Sequence, residues 1–396
     1  HSNECTLNRY YLCLYLSGTL DIMYLSHVIE LRPNPAQKMH LDKALGSRRH
    51  AYNHLLAHFV RNRLPWSRKE ADQLYKRMRQ EFPWYAEVSQ RVTRQAVHDL
   101  DKAFRAFFRR VKRRNPKPGY PRFKKRGRGD TFEFADSAKF RVEGRRLKIE
   151  RLPTWIKMRQ KLWIQGDVRR LTVKKRAGKY FAHIMVAVDE TDHRVNHQKE
   201  SVGVDLGVRR LATCSGGEIF PACQQLKSSL DLLARRQRVL KRKQKGSHRY
   251  AKAKQAVDRL HLKVSEQRAA KLHELSHYLT KTYHFVTLED LDVKDMVKTG
   301  TLARAVMDSG FFKLRQQVEY KARLRGGEVI IADRYFPSSK TCSTCGQHND
   351  IGLENFQWKC SHCGATHDRD LNASINLDQY GRDQLQLDLK TYAGAA

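Results

Sequence analysis

Three acidic residues stand far apart in the second half of the chain, each at the edge of a short apolar run. They are Asp205 in Val202-Gly-Val-Asp-Leu-Gly207, Glu289 in Phe285-Val-Thr-Leu-Glu289 and Asp370 in His367-Asp-Arg-Asp-Leu-Asn372. Two Mg²⁺ ions bring about +4 of charge, which three carboxylates and one phosphodiester balance to roughly zero, so such a set suits metal-dependent phosphodiester hydrolysis. Any one of these acids alone reads more readily as a solvated strand end or loop residue. Their combination points to a nuclease.

Just before the last acid, Cys342, Cys345, Cys360 and Cys363 form two C-x2-C pairs, the spacing of a zinc ribbon. Cys5, Cys13, Cys214 and Cys223 show no paired spacing. A basic chain of this size does not need disulfide staples, so zinc in a reducing compartment is expected rather than two bridges.

Charge narrows the partner. Lys and Arg total 77 against 41 Asp and Glu, a net +36 over 396 residues, which calls for a polyanion. The basic residues run through the whole chain and no apolar stretch of about 18 residues occurs, which favours nucleic acid over a membrane surface. A hydrophobic content of 40% supports real cores and excludes a disordered tail. Neither a P-loop nor a nucleophile elbow appears, so NTPase motors and serine hydrolases lose support.

The elements that must position these residues follow from periodicity. Residues 1–22 do not match the rest and read as appended sequence, with a strand over Tyr24–Leu31 opening the protein proper. Helices are predicted over 36–63, 67–81 and 86–112. The last ends in Ala106-Phe-Phe-Arg-Arg-Val-Lys-Arg-Arg114, whose aromatics read as core and whose arginines are phosphate candidates. The Pro-, Gly- and cation-rich stretch 115–130 reads as a linker along a phosphate backbone. Short strands at 132–134, 140–142, 147–149, 162–164, 168–173 and 180–188 suggest a β-barrel or sandwich into which the helices are inserted. From Val202 a second pattern begins: strands at 202–205 and 210–213, one helical stretch over 224–282, a strand at 285–288, a helix at 309–325, a strand at 328–331, the cysteine ribbon and a final helix from about Leu371. Strands that alternate with helices and end in acids describe an RNase H-like α/β layer. The basic run 235–249 reads either as a solvated face or as the lining of a nucleic-acid channel.

At this point the motifs resemble a known family. Arg32-Pro-Asn-Pro-Ala-Gln37, Leu45-Gly-Ser-Arg-Arg-His-Ala-Tyr-Asn-His54, Gly119-Tyr-Pro-Arg-Phe-Lys-Lys125, Gly203-Val-Asp-Leu-Gly207, Leu288-Glu-Asp-Leu291, Ser338-Ser-Lys-Thr-Cys-Ser-Thr-Cys-Gly346 and His367-Asp-Arg-Asp-Leu-Asn-Ala-Ser374 are similar, in order, to the TnpB family. The resemblance implies a transposon-encoded, RNA-guided DNA endonuclease, a compact relative of type V Cas effectors. It would bind an omega RNA, recognise a short target-adjacent motif (TAM) and pair the guide with double-stranded target DNA, one protein per RNA and no membrane. A cytoplasmic, nucleoid-associated protein is implied.

The family pattern implies the architecture as well: a β-barrel wedge domain (23–35 and 116–196) carrying a helical recognition insert (36–115), then a RuvC-like, RNase H-like nuclease domain (201–336 and 366–380) with an inserted zinc ribbon (337–365) and a tail (381–396). It assigns Asp205, Glu289 and Asp370 to two catalytic Mg²⁺ ions, choosing Asp370 over the neighbouring Asp368 because the third acid precedes x-Asn, here Asn372. Asp290 would face away from Glu289 across the strand. Arg334 is a phosphate clamp or a surface arginine. The zinc is structural, bracing the loop before Asp370. Gln90, Arg94 and Gln95 share a helix face that could read base edges, with phosphate contact or solvent as the plainer alternative. Arg109, Arg110, Arg122, Lys124 and Lys125 are further contact candidates. Three other readings remain open: a nuclease-inactive RNA-guided repressor, a strand-transfer transposase and a non-catalytic zinc-ribbon RNA-binding protein. An autonomous CRISPR effector would have the same sequence features.

Overall fold

The computed structural model describes residues 22–127, 129–189, 193–222, 225–292, 309–352 and 354–393, with the side chains of 225–228 and 387–393 left aside. The expected appended segment, with Cys5 and Cys13, lies outside the described residues apart from Ile22, as does Cys223. Contacts divide the chain into two compact units between Val188 and Asp189.

The N-terminal unit is a seven-stranded sheet with a helical insertion. β1 (Ile22–Arg32) is an inner strand of the order β2-β6-β7-β1-β5-β4-β3. Three helices follow it: α1 (Pro35–Arg61), α2 (Arg68–Glu81) and α3 (Gln90–Lys112). The chain then returns as β2 (Thr131–Phe134), β3 (Phe140–Glu143), β4 (Arg146–Ile149), β5 (Ile156–Met158), β6 (Asp167–Arg176) and β7 (Lys179–Asp189). The edge strands β2 and β3 are joined by a short 3-10 turn, so the sheet is nearly closed. α1 starts where it does because Asn34 caps it: its side chain accepts from Gln37 N, the Gln37 side chain accepts from Asn34 N, and Pro35 presets the first turn. Ala177 and Gly178, both at positive φ, turn β6 into β7 as a two-residue hairpin.

Two expectations in this unit are corrected. Residues 162–164 are not a strand: Trp163 turns its indole N–H to His27 Nε2 at 3.2 Å, and the ladder position beside β1 is taken by Ile156–Met158, with Leu31 opposite Met158. The third helix starts at Gln90 rather than 86, because Pro83–Glu87 closes as a 3-10 turn and Ser89 is the cap. The helices share a core of Leu55, Leu56, Phe59, Tyr75, Met78, Val97, Leu100 and Phe104. Phe107 is partly buried against it, and Phe108 remains 49% exposed.

The C-terminal unit is built on a five-stranded sheet of order β10-β9-β8-β11-β12. β8 (Lys199–Asp205), β11 (Tyr283–Glu289) and β12 (Glu328–Ala332) run parallel, while β9 (Arg210–Cys214) and β10 (Ile219–Pro221) fold back antiparallel. Between β10 and β11 lie α4 (Gln225–Lys241) and α5 (His248–Thr282). The single helix expected over 224–282 is therefore two: Gly246 takes a φ of +92°, and Ser247 caps α5 by accepting from Tyr250 N at 3.1 Å. Lys, Arg and Gln on both sides of Gly246 hid the break from a charge-and-periodicity reading. α6 (Phe311–Arg325) is bracketed by Gly310 and Gly326, both left-handed. α7 (Arg369–Ala393) packs on β8 and β11. A small two-stranded sheet, β13 (Gln357–Lys359) with β14 (Thr366–Asp368), carries the second cysteine pair and runs directly into α7. Among the described residues no helix is long and apolar enough to cross a membrane.

Candidate active site

β8 and β11 are buried, apolar parallel strands, with Val202, Val204, Val286 and Leu288 at 0% exposure. Their register pairs Leu288 with Val204, so Glu289 and Asp205 leave the carboxyl ends of adjacent strands side by side. In open α/β sheets that edge is where ligands are held.

The third acid is delivered by α7, and a glycine sets how closely it comes. A Cβ on Gly203 would lie 2.0 Å from Ser374 O and 2.2 Å from Asp378 N, so the bare β8 backbone lets α7 lie directly on it. Gly381 plays the same part against Thr287 of β11. Asp368 accepts from the N–H groups of Asp370 and Leu371, both at 3.1 Å, which caps α7. It is also held by Arg210 Nη1 at 2.9 and 3.0 Å. Asp368 is thus occupied as cap and ion-pair partner. Asp370 sits in the first turn, where the helix dipole favours its charge. Arg210 approaches Asp370 less closely, at 3.7 Å, and Arg369 reaches it at 3.5 Å.

The electrostatics show that the acids face one another. Burial, then the charges of Glu289 and Asp370, push Asp205 well above the usual carboxylate range. Burial raises Glu289 too, with Asp370 adding to the shift and a hydrogen bond from Ser338 opposing it. Arg369 opposes the shift of Asp205 without cancelling it, so negative charge remains in excess there. Hard oxygen donors with unneutralised charge fit Mg²⁺. The three carboxylates are not gathered as tightly as the cysteines.

The loop 338–343 connects the acids to the ribbon. Ser338 Oγ donates to Glu289 Oε1 at 2.8 Å. Asn372, 1% exposed, accepts from Ser343 N at 2.9 Å and donates to Thr341 O at 2.8 Å, and Asn376 donates to Ser338 O and Thr341 O at 2.7 Å each. Asn372 therefore positions the loop and does not touch the acids in this arrangement. The sulfurs of Cys342, Cys345, Cys360 and Cys363 all lie within 4.8 Å of one another, the one group of three or more metal-type ligands drawn so close among the described residues. His367 Nε2 stands 3.1 Å from Cys342 Sγ. Four converging thiols on two turns match a tetrahedral structural zinc.

Arg334 is engaged by Asp290 at 2.7 Å and Asp292 at 3.3 Å, and Asp290 also takes Arg315 at 2.8 Å. The hydrogen bond from Arg334 is the largest of the effects lowering Asp290 below its ordinary range. Sequence reasoning overlooked Arg210, Ser338, Asn376 and His367. Ser338 and His367 sit inside motifs named above, and Arg210 opens a predicted strand, but only the fold shows what they touch.

In the N-terminal unit the contact candidates separate. Lys124 is spent internally, 2.7 Å from Asp99 and over the Tyr52 ring. Arg110 donates to Pro118 O and Gly119 O. Arg94 pairs weakly with Asp72 at 3.7 Å. Gln90, Arg109, Arg122 and Lys125 are exposed, and Gln95 is half-buried.

Three families match the chain: one described as "Probable transposase" over residues 183–300, one as "Cas12f1-like, TNB domain" over 311–377, and one as "Helix-turn-helix domain" over 23–61. The last span folds here as β1 and the single helix α1. A Streptomyces pristinaespiralis protein provisionally named an RNA-guided DNA endonuclease is 32% identical over 356 residues, covering 87% of this chain and 86% of its own. Escherichia coli InsQ, provisionally named likewise, is 29% identical over 88% of this chain and 90% of its own. TnpB-like protein L79 of Acanthamoeba polyphaga mimivirus is 27% identical over 48% of this chain and 39% of its own.

Proposed function

This chain belongs to the TnpB family, and on that premise we propose that it is an RNA-guided, Mg²⁺-dependent DNA endonuclease of a transposon. It binds an omega RNA, one protein per RNA, recognises a TAM, pairs the guide with one DNA strand and cleaves both. The observation that carries this reading is the convergence of three carboxylates from β8, β11 and α7, with Asp205 raised by burial and by Glu289 and Asp370, and Glu289 raised by burial and by Asp370.

The C-terminal sheet, three parallel strands extended by an antiparallel hairpin, supports an RNase H-like nuclease domain over 201–336 and 366–380, interrupted by the ribbon at 337–365. The nearly closed N-terminal sheet supports a wedge domain (23–35 and 116–196), and α1–α3 the recognition insert (36–115).

Asp205, Glu289 and Asp370 are the residues that would hold two Mg²⁺, which when bound supply an activated water and stabilise the departing 3′ oxygen. Asp205 and Glu289 fix two ligand positions on rigid strand ends, and Asp370 brings the third from α7. Ser338 orients the Glu289 carboxylate through Oε1, leaving Oε2 for a cation. Arg210 and the α7 backbone hold Asp368 out of the ligand set. The four cysteines hold Zn²⁺, and through Asn372 and Asn376 the ribbon's first knuckle is fastened to the helix that carries Asp370.

The test is Mg²⁺-dependent cleavage of a plasmid library with randomised bases beside a fixed target, using protein co-expressed with its flanking RNA. Cuts confined to one adjacent motif and lost in Asp205→Ala are expected. Target binding without any cut by the unaltered protein would instead indicate a repressor.

A further inference from the structure

We infer that Arg209 is a backbone-phosphate contact for the nucleic-acid strand lying across the acid cluster, held ready on the ring of Phe356; this rests on the nuclease reading above. Arg209 lies in the short connection between β8 and β9, four residues after Asp205, and is exposed. Its guanidinium stands 4.0 Å from the centroid of Phe356. The ring belongs to the ribbon, yet it is fixed to the start of α7: Arg369 N–H donates to Phe356 O at 2.8 Å, and the Arg369 guanidinium lies 5.2 Å from the same ring. Phe356 therefore keeps its place relative to Asp370, and Arg209 keeps its place on Phe356.

Arg209 differs in its pairing from the arginines near it that carboxylates hold. Arg210 is taken by Asp368, Arg315 and Arg334 by Asp290, and Arg382 by Glu200 and Asp378. Among the described residues no carboxylate is paired with Arg209. A guanidinium against an aromatic face has its planar donors directed outward around the rim, free to fork onto two phosphate oxygens. An exposed, pre-oriented cation beside clustered acids is what a polyanionic strand needs in order to approach them, since the acids alone repel it. Arg334, the arginine singled out by motif, is already neutralised by Asp290 and Asp292.

The experiment uses the full chain with its RNA. Binding of a single-stranded DNA oligonucleotide is measured without Mg²⁺ across a salt series, and single-turnover cleavage with Mg²⁺. For Arg209→Ala the slope of log K against log salt should become shallower by about 0.7, the value for one lost phosphate contact on a single strand. Its cleavage rate should fall at least about tenfold, a loss of about 1.4 kcal/mol. Arg209→Lys should keep the slope and recover part of the rate, because charge survives but the fork does not. Phe356→Leu should likewise keep the slope and slow cleavage. Arg382→Ala, removing an already paired arginine, is the control and should leave the slope unchanged. An unchanged slope in Arg209→Ala overturns the proposal, as does a changed slope with wild-type cleavage, which would place the contact away from the reacting strand. If the unaltered protein itself does not cut, the nuclease reading fails, and the slope alone then decides whether Arg209 meets phosphate.

Discussion

Ser338 donates its hydroxyl hydrogen to Glu289 Oε1 at 2.8 Å, joining the first residue of the loop that leads to the cysteines to the acid at the end of β11. That bond favours the ionised carboxylate, against the burial that raises it. Ser338→Ala should therefore raise the Mg²⁺ concentration for half-maximal cleavage several-fold, since one such bond is worth about 1 kcal/mol. The effect should grow as pH falls, because protons and Mg²⁺ compete for the same carboxylate. A Mg²⁺ titration of cleavage at two pH values measures both; equal shifts at the two would remove Glu289 protonation from the explanation.

Asp205 and Glu289 both have carboxyl pKa values raised by the fold. The folded state thus holds these protons to higher pH than the unfolded chain. No destabilisation arises below the unfolded values, and it is complete once pH has risen through the folded ones. Without Mg²⁺, Asp205→Asn should melt at or above the wild-type temperature at neutral pH, and the difference should shrink in acid. Added Mg²⁺ should stabilise the wild type and not the variant. Thermal melts with and without Mg²⁺ at acidic and neutral pH decide this; a variant less stable than the wild type throughout would contradict the charge argument.

Gly203→Ala places a methyl group where Ser374 O and the Asp378 backbone already are. Backbone cannot swing away as a side chain does, so α7 must lift from β8. We expect a loss of about 2–4 kcal/mol, in the range of severe overpacking. Urea unfolding should show it. Cleavage should also fall more than the lost stability explains, because Asp370 moves with the helix.

Zinc removal should act at a distance. The purified protein should hold one Zn²⁺ per chain by elemental analysis, and Cys342→Ser should lose it. Because Asn372 and Asn376 bind the carbonyls of Ser338 and Thr341, loosening the ribbon frees the loop that orients Glu289. The variant should still bind RNA but require more Mg²⁺ for cleavage. Wild-type Mg²⁺ dependence in a zinc-free protein would uncouple the two sites.

The sequence announced most elements through their own local rules. The helical pattern after Pro35, the alternation in β6 and β7, and the apolar runs ending in Asp205 and Glu289 are short-range signals that tertiary packing did not override. Where the reading went astray, a weak local signal met a competing one. Gly246 lay hidden in a charged run, and residues 162–164 carried strand-like composition while Ile156–Met158 took the place beside β1.

By itself the sequence determined the residue types at the candidate site: three acids after apolar runs, four cysteines at metal spacing, and a cationic excess that calls for a polyanion. Those are chemical facts carried by identity and spacing along the chain. Only the tertiary structure decided which residues meet. It put Glu289 beside Asp205 through the register of two parallel strands, with Leu288 opposite Val204, and it committed Asp368 to Arg210 and the α7 cap while leaving Asp370 to face the other acids. It also paired Arg334 with Asp290 and set Arg209 on Phe356 with no carboxylate paired to it among the described residues. Charge pairing depends on distances between residues remote in sequence, and those distances exist only once the sheet and the helix above it have closed.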